Sequence, residues 1–138
     1  MSVGLLLITH NDIGSALLET ATRTFGLCPI RAEALCVSAT SDRDLLLDQA
    51  SAMVRDLDEG DGVLVLTDMY GATPSNIADR ISTDAALRVV AGVNLPMMIR
   101  VLNYCGLHLD ALADKAISGG RDGIVLAGAA AQNTEAAR

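Results

Sequence analysis

A chain of 138 residues with 51% apolar side chains is long enough for one packed domain and too apolar for a disordered one. A net charge of −7 with no basic cluster argues against nucleic acid and anionic membrane surfaces as partners. Aromatic residues make up only 2%, so the core must be aliphatic, which suits helices packed on a buried parallel sheet.

In chain order, Val3–Ile8 is a short continuous apolar run and reads as a buried strand. Asn11 or Asp12 can cap the helix after it, which carries Ile13, Leu17, Ala21 and Phe25 on one face and which Gly26 can stop. Glu33–Val37 is a weaker strand. Ser41 and Asp44 resemble a capping box, followed by Leu46, Ala50, Met53, Val54 and Leu57 on one helical face and by Gly60 as a stop. Gly62–Thr67, GVLVLT, is the clearest strand and should be central. Thr73 before Pro74 predicts an N-cap and first helical residue, with the helix running to about Thr83. Leu87–Val93 is the fourth strand. Asn94 and Pro96 open a helix to about Tyr104, ended near Gly106. Asp110–Ile117 is a further helix closed by Gly119 and Gly120, and Ile124–Ala127 a short fifth strand. Residues 129–138 read as a frayed tail.

Alternating strands and helices predict a single three-layer α/β domain over residues 1–138, with a mainly parallel sheet of four strands plus the C-terminal one. Cys28, Cys36 and Cys105 are odd in number and lack metal-ligand spacing, so they read as reduced thiols. No basic segment precedes the first apolar run, and no run approaches the roughly 20 residues that span a bilayer. The expected location is the cytoplasm.

In an open α/β sheet, ligands bind beyond the carboxyl ends of the strands. Three polar segments leave strands at that edge: Thr9–Asp12, Asp68–Pro74 and Gly92–Pro96. If strands one and three are neighbours, His10 and Asp68 share a rim. A carboxylate that accepts from one imidazole N–H fixes the tautomer and leaves the other nitrogen nucleophilic. Such a nitrogen can take a phosphoryl group, and the turn at Gly71, Ala72 and Thr73 entering a helix offers N–H groups and a hydroxyl to an anion. The bland alternative is a structural histidine and a turn aspartate. A divalent metal on His10, Asp12 and Asp68 is disfavoured, since no second histidine is near. GGRDG (119–123) lacks the Lys-Ser/Thr ending of a P-loop, and His108 reads as structural. No cofactor is expected.

Three motifs carry a resemblance to a known family. ITHNDIGSALLETA (8–21), VLTDMYGATPSNIA (65–78) and VVAGVNLPMMIRVL (89–102) resemble, in the same order, segments of the enzyme IIA component of the mannose class of the bacterial phosphoenolpyruvate-dependent sugar phosphotransferase system; GGRDGI is also similar. The resemblance implies that His10 accepts phosphate from the phosphocarrier protein HPr, that Asp68 orients His10, and that Thr73 supplies a hydroxyl beside the phosphoryl group. Asn94 is expected to line the same pocket. The resemblance further implies a homodimer that exchanges a C-terminal strand, here Ile124–Ala127, and transfer onward to a IIB component, which is expected on a separate protein because the sequence shows no linker and second domain. Ala72, Ser75 and Asn11 depart from the family's usual Gly, Phe and Gly, and Ser75 is expected to alter the rim that a downstream partner touches. The alternative functions are a stand-alone regulator that binds a kinase or another regulator according to His10 phosphorylation, and a small-molecule binder without phosphotransfer.

Overall fold

The computed structural model describes residues 2–25 and 30–128. The elements are β1 (Gly4–His10), α1 (Ile13–Phe25), β2 (Ala32–Val37), α2 (Arg43–Leu57), β3 (Val63–Thr67), α3 (Thr73–Asp79), β4 (Leu87–Ala91), α4 (Leu95–Asn103) and α5 (Leu109–Asp122). The four strands form one parallel sheet in the order β2-β1-β3-β4.

Alternation along the central strands builds two cores. Leu5 and Leu7 of β1 and Leu64 and Leu66 of β3 join Ala21 of α1, Met98 and Val101 of α4 and Leu112 and Ala116 of α5 on one face. Leu6, Ile8, Val63 and Val65 meet Leu46, Ala50, Val54 and Leu57 of α2 and Ile77 and Ala78 of α3 on the other. A strand buried on both faces must be apolar at every position, which is why LLLI and VLVL show no polar alternation. The predicted three-layer α/β fold is present. Among the described residues no helix is long and apolar enough to cross a membrane.

Several boundaries differ from the sequence expectation. Asp42, not Ser41, caps α2, its Oδ1 accepting from the Asp44 and Leu45 N–H groups at 2.9 and 3.3 Å; the Ser41 hydroxyl instead accepts from the Ser38 N–H at 3.0 Å. Ala72, not Thr73, is the N-cap of α3, and α3 ends at Asp79 rather than near Thr83. The last N–H bonds of α3 run from Arg80 to Ile77 and from Ile81 to Ala78, a tightened final turn. β4 stops at Ala91 because Gly92 turns to φ 92°, and the Gly92 and Val93 N–H groups both bond to the Thr67 carbonyl at 2.9 Å.

Gly119 and Gly120 do not close α5; they lie inside it. They are where α5 presses on α4: a Cβ on Gly119 would lie 2.5 Å from Arg100 Cβ, and one on Gly120 2.9 Å from Met97 Cε. Ile124–Ala127 forms no strand within this chain, and Ile124, Val125 and Leu126 are exposed. The stop expected at Gly26 and the tail at residues 129–138 lie outside the described residues.

Candidate functional site

β1 is flanked by β2 on one side and β3 on the other, so the chain leaves the carboxyl ends of β1 and β3 in opposite lateral directions. The crevice at such a switch point is where open α/β sheets hold ligands. His10 is the last residue of β1, paired in register with Val37, while Ile8 pairs with Thr67. Asp68 follows Thr67 directly and reaches across the end of β1.

The junction is tightly built. Thr9, fully buried, accepts the Gly14 N–H on its Oγ1 at 2.7 Å and so ties the start of α1 to β1. A Cβ on Gly14 would lie 2.9 Å from that oxygen, so only glycine allows the approach. Asn11 has φ 47°, a left-handed conformation that asparagine tolerates better than most residues, and donates its N–H to the Val37 carbonyl at 2.8 Å. A left-handed residue at this point accounts for asparagine standing where the resembling family usually has glycine.

Asp68 Oδ2 accepts twice from His10, from the backbone N–H at 3.0 Å and from ring Nδ1 at 2.8 Å. The Asp68 side chain is 11% exposed and the His10 side chain 42%. Burial pushes the Asp68 pKa up, but the hydrogen bonds from the His10 ring and backbone, with the ring's electrostatic attraction, outweigh it and hold the carboxyl below the ordinary aspartate value. An ionised carboxylate only accepts, so Nδ1 carries a hydrogen, and in the neutral imidazole that leaves the lone pair on Nε2. Asp68 Oδ1 and Thr67 Oγ1 are buried with no hydrogen-bond partner among the described residues.

His10 lines a cleft of about 400 Å³ together with Asn11, Ser38, Ser41, Arg43 and Thr73. Of the residues expected around a phosphoryl group, Thr73 is here. Gly71 and Ala72 form the turn above it; Gly71 has φ 83° with open space around its α-carbon, so backbone conformation rather than crowding selects glycine. No side chain caps α3. Asn94 corrects the expectation: its Oδ1 caps α4 by accepting from the Met97 N–H at 2.9 Å, and its Nδ2 donates to the Gly120 carbonyl at 3.1 Å. It lines a different cleft, with Gly92, Met97 and Arg121. Ser75 is buried, so it does not form the rim; the exposed apolar residues beside the site are Met69 and Tyr70. His108 stands exposed at the N-cap of α5 without a side-chain cap bond.

Sequence reasoning missed Arg43. The segment after β2 was not counted among those at the active edge, although any strand beside β1 delivers its following loop there. Among the described residues, no group of three or more His, Cys, Asp or Glu side chains is placed to hold a metal ion.

The structure is thus a parallel α/β domain that presents a carboxylate-held imidazole at its switch point. A family model described as PTS system fructose IIA component matches residues 4–117, and the chain belongs to this IIA family of the phosphotransferase system. It is 30% identical over 127 residues to the mannose-specific EIIAB component of Escherichia coli (strain K12), covering 90% of this chain and 39% of that protein. It is 31% identical over 114 residues to the transcriptional regulatory protein LevR of Bacillus subtilis (strain 168), covering 80% of this chain and 12% of that protein. The mannose/sorbose-specific IIA subunit from Enterococcus faecalis superimposes with a TM-score of 0.81 at 25% identity, covering 93% of this chain and 96% of that one.

Proposed function

We propose that this protein accepts a phosphoryl group on His10 Nε2 from phospho-HPr and passes it to a IIB component. The single observation that carries this is the 2.8 Å bond between His10 Nδ1 and Asp68 Oδ2 at the carboxyl edge of the sheet. The Nε2 lone pair forms the new N–P bond as the donor's P–N bond breaks and its electron pair returns to the donor ring. Positive charge grows on the His10 imidazole, and Asp68 stabilises it without moving. The Thr73 hydroxyl and the N–H groups at Gly71–Thr73 offer donors to the phosphoryl oxygens. Exposed Met69 and Tyr70 give a docking protein apolar surface beside the histidine.

Membership of the IIA family supports this reading, as does the similarity to the mannose-specific EIIAB component. A homodimer is part of the same proposal. Among the described residues the outer edge of β4 has no neighbouring strand, and the exposed Ile124–Leu126 segment is apolar enough to pair with such an edge in a partner. The reading places the protein in the cytoplasm, where HPr would meet it.

Incubation with labelled phospho-HPr is the test. Label on wild type that is absent from His10→Ala is the expected outcome; equal label on both rejects the proposal.

The match to LevR favours a second reading, in which phosphorylation of His10 controls binding to a regulatory partner. Transfer onward to a cognate IIB component supports the transport role, and retention of the label on His10 in its presence supports the regulatory one.

A further inference from the structure

Among the described residues, Arg43 is the only cationic side chain that shares the cleft with His10 and Thr73. It is the first residue of α2, which Asp42 caps five residues after the end of β2 at Val37. Its guanidinium donates one long hydrogen bond, 3.4 Å from Nη2 to Thr73 Oγ1. Arg23, Arg31, Arg88 and Arg100 each hold a carboxylate, whereas among the described residues no ion pair forms at Arg43, Arg55, Arg80 or Arg121. Of these unpaired arginines, Arg43 is the one that lines the cleft with His10, where its guanidinium is turned to the Thr73 hydroxyl.

The geometry points to Arg43 as the residue that holds the phosphoryl oxygens once His10 is phosphorylated, with Thr73 as its partner; this rests on the phosphotransfer reading above. A phosphohistidine adds roughly −2 charge to a rim that otherwise presents Asp68 on one side. The planar fork of a guanidinium matches two phosphoryl oxygens at once, and most of the donors on Arg43 are unengaged. Arg43 thereby stabilises the phosphorylated state over the free one, a bias that sets how far the phosphoryl group moves from HPr onto this protein.

Thermodynamics separates holding the phosphoryl group from docking the donor. The equilibrium constant for exchange between phospho-HPr and this protein contains only the free and phosphorylated forms of each, so the affinity of the docked complex does not enter it. A residue that holds the phosphoryl group changes that constant; a residue that only docks HPr changes the rate of approach. The experiment mixes dilute phospho-HPr with wild type, Arg43→Lys, Arg43→Gln and Arg43→Glu, and reads phosphorylated and free forms of both proteins by intact mass once the ratio is constant. Arg43→Gln is expected to lower the constant about three- to tenfold. Arg43→Lys, which keeps the charge and loses the fork, should fall between, and Arg43→Glu below both. Raising the salt should shrink the gap between wild type and Arg43→Gln, because the cleft is open to solvent. Arg43 is exposed, so unchanged melting curves are expected throughout.

One constant shared by all four proteins overturns the inference even if approach rates differ, and leaves the role of His10 standing. A wild type that takes no label at His10 overturns both.

Discussion

One oxygen of Asp68, Oδ2, binds His10 at two points, the ring Nδ1 at 2.8 Å and the backbone N–H at 3.0 Å. The backbone bond places the carboxylate regardless of the imidazole, so the ring rotates into a partner already in position. Substrate-independent placement of this kind keeps reorganisation out of the reaction step.

Asp68→Asn should therefore slow phosphorylation of His10 at least about 10- to 100-fold, the range for losing a carboxylate behind a metal-bound histidine. The amide still accepts from the backbone N–H, so the fold should survive, with a native circular dichroism spectrum. Unchanged kinetics would show that Asp68 does not orient the ring.

The same pair predicts a pH dependence of stability. The Asp68 carboxyl titrates below its ordinary value in the folded protein, so the unfolded chain binds the proton first as pH falls. The stabilisation is complete above about pH 5 and is lost as pH drops through the aspartate range near pH 4 and below. Urea unfolding of wild type and Asp68→Asn should show a constant gap above pH 5 that narrows in acid. A gap independent of pH would rule out this linkage.

Thr9→Val keeps the shape of the buried side chain and removes the acceptor of the Gly14 N–H. An unsatisfied donor at the start of α1 should cost about 1–3 kcal/mol, visible as a lower melting temperature. Because α1 begins three residues after His10, phosphorylation kinetics should also change, which a stability loss elsewhere would not produce.

Gly119→Ala tests the contact between α4 and α5. Alanine favours a helix over glycine by about 1 kcal/mol, yet its Cβ would sit 2.5 Å from Arg100 Cβ and 3.3 Å from the Pro96 carbonyl oxygen. Overpacking at backbone and Cβ atoms should win, with a net loss of about 1–3 kcal/mol in chemical denaturation. A stabilised variant would mean that α5 moves away freely.

Much of this architecture was legible because the two central strands are apolar at every position and the helices carry their own start signals, as at Asn94 before Leu95-Pro96. The errors have specific physical causes. Gly119 and Gly120 look like a helix stop in one dimension; only the proximity of Arg100 and Met97 shows that they are small to let two helices close. Asn94 looks free to serve a ligand until its amide is found capping α4 and holding α5. Ser75 follows a proline in a polar turn, yet the first turn of α3 carries it inward.

The sequence by itself determined the alternation of strands and helices, the aliphatic core and the placing of His10 and Asp68 at strand ends, since those follow from local periodicity and composition. Only the tertiary structure decided which strands are neighbours. That order, β2-β1-β3-β4, brings Asp68 onto the ring of His10 from one side and Arg43 into its cleft from the other. Residues 33 and 58 positions away come to the cleft and the ring of His10 because sheet pairing joins segments without regard to their distance along the chain, and no local pattern encodes that choice.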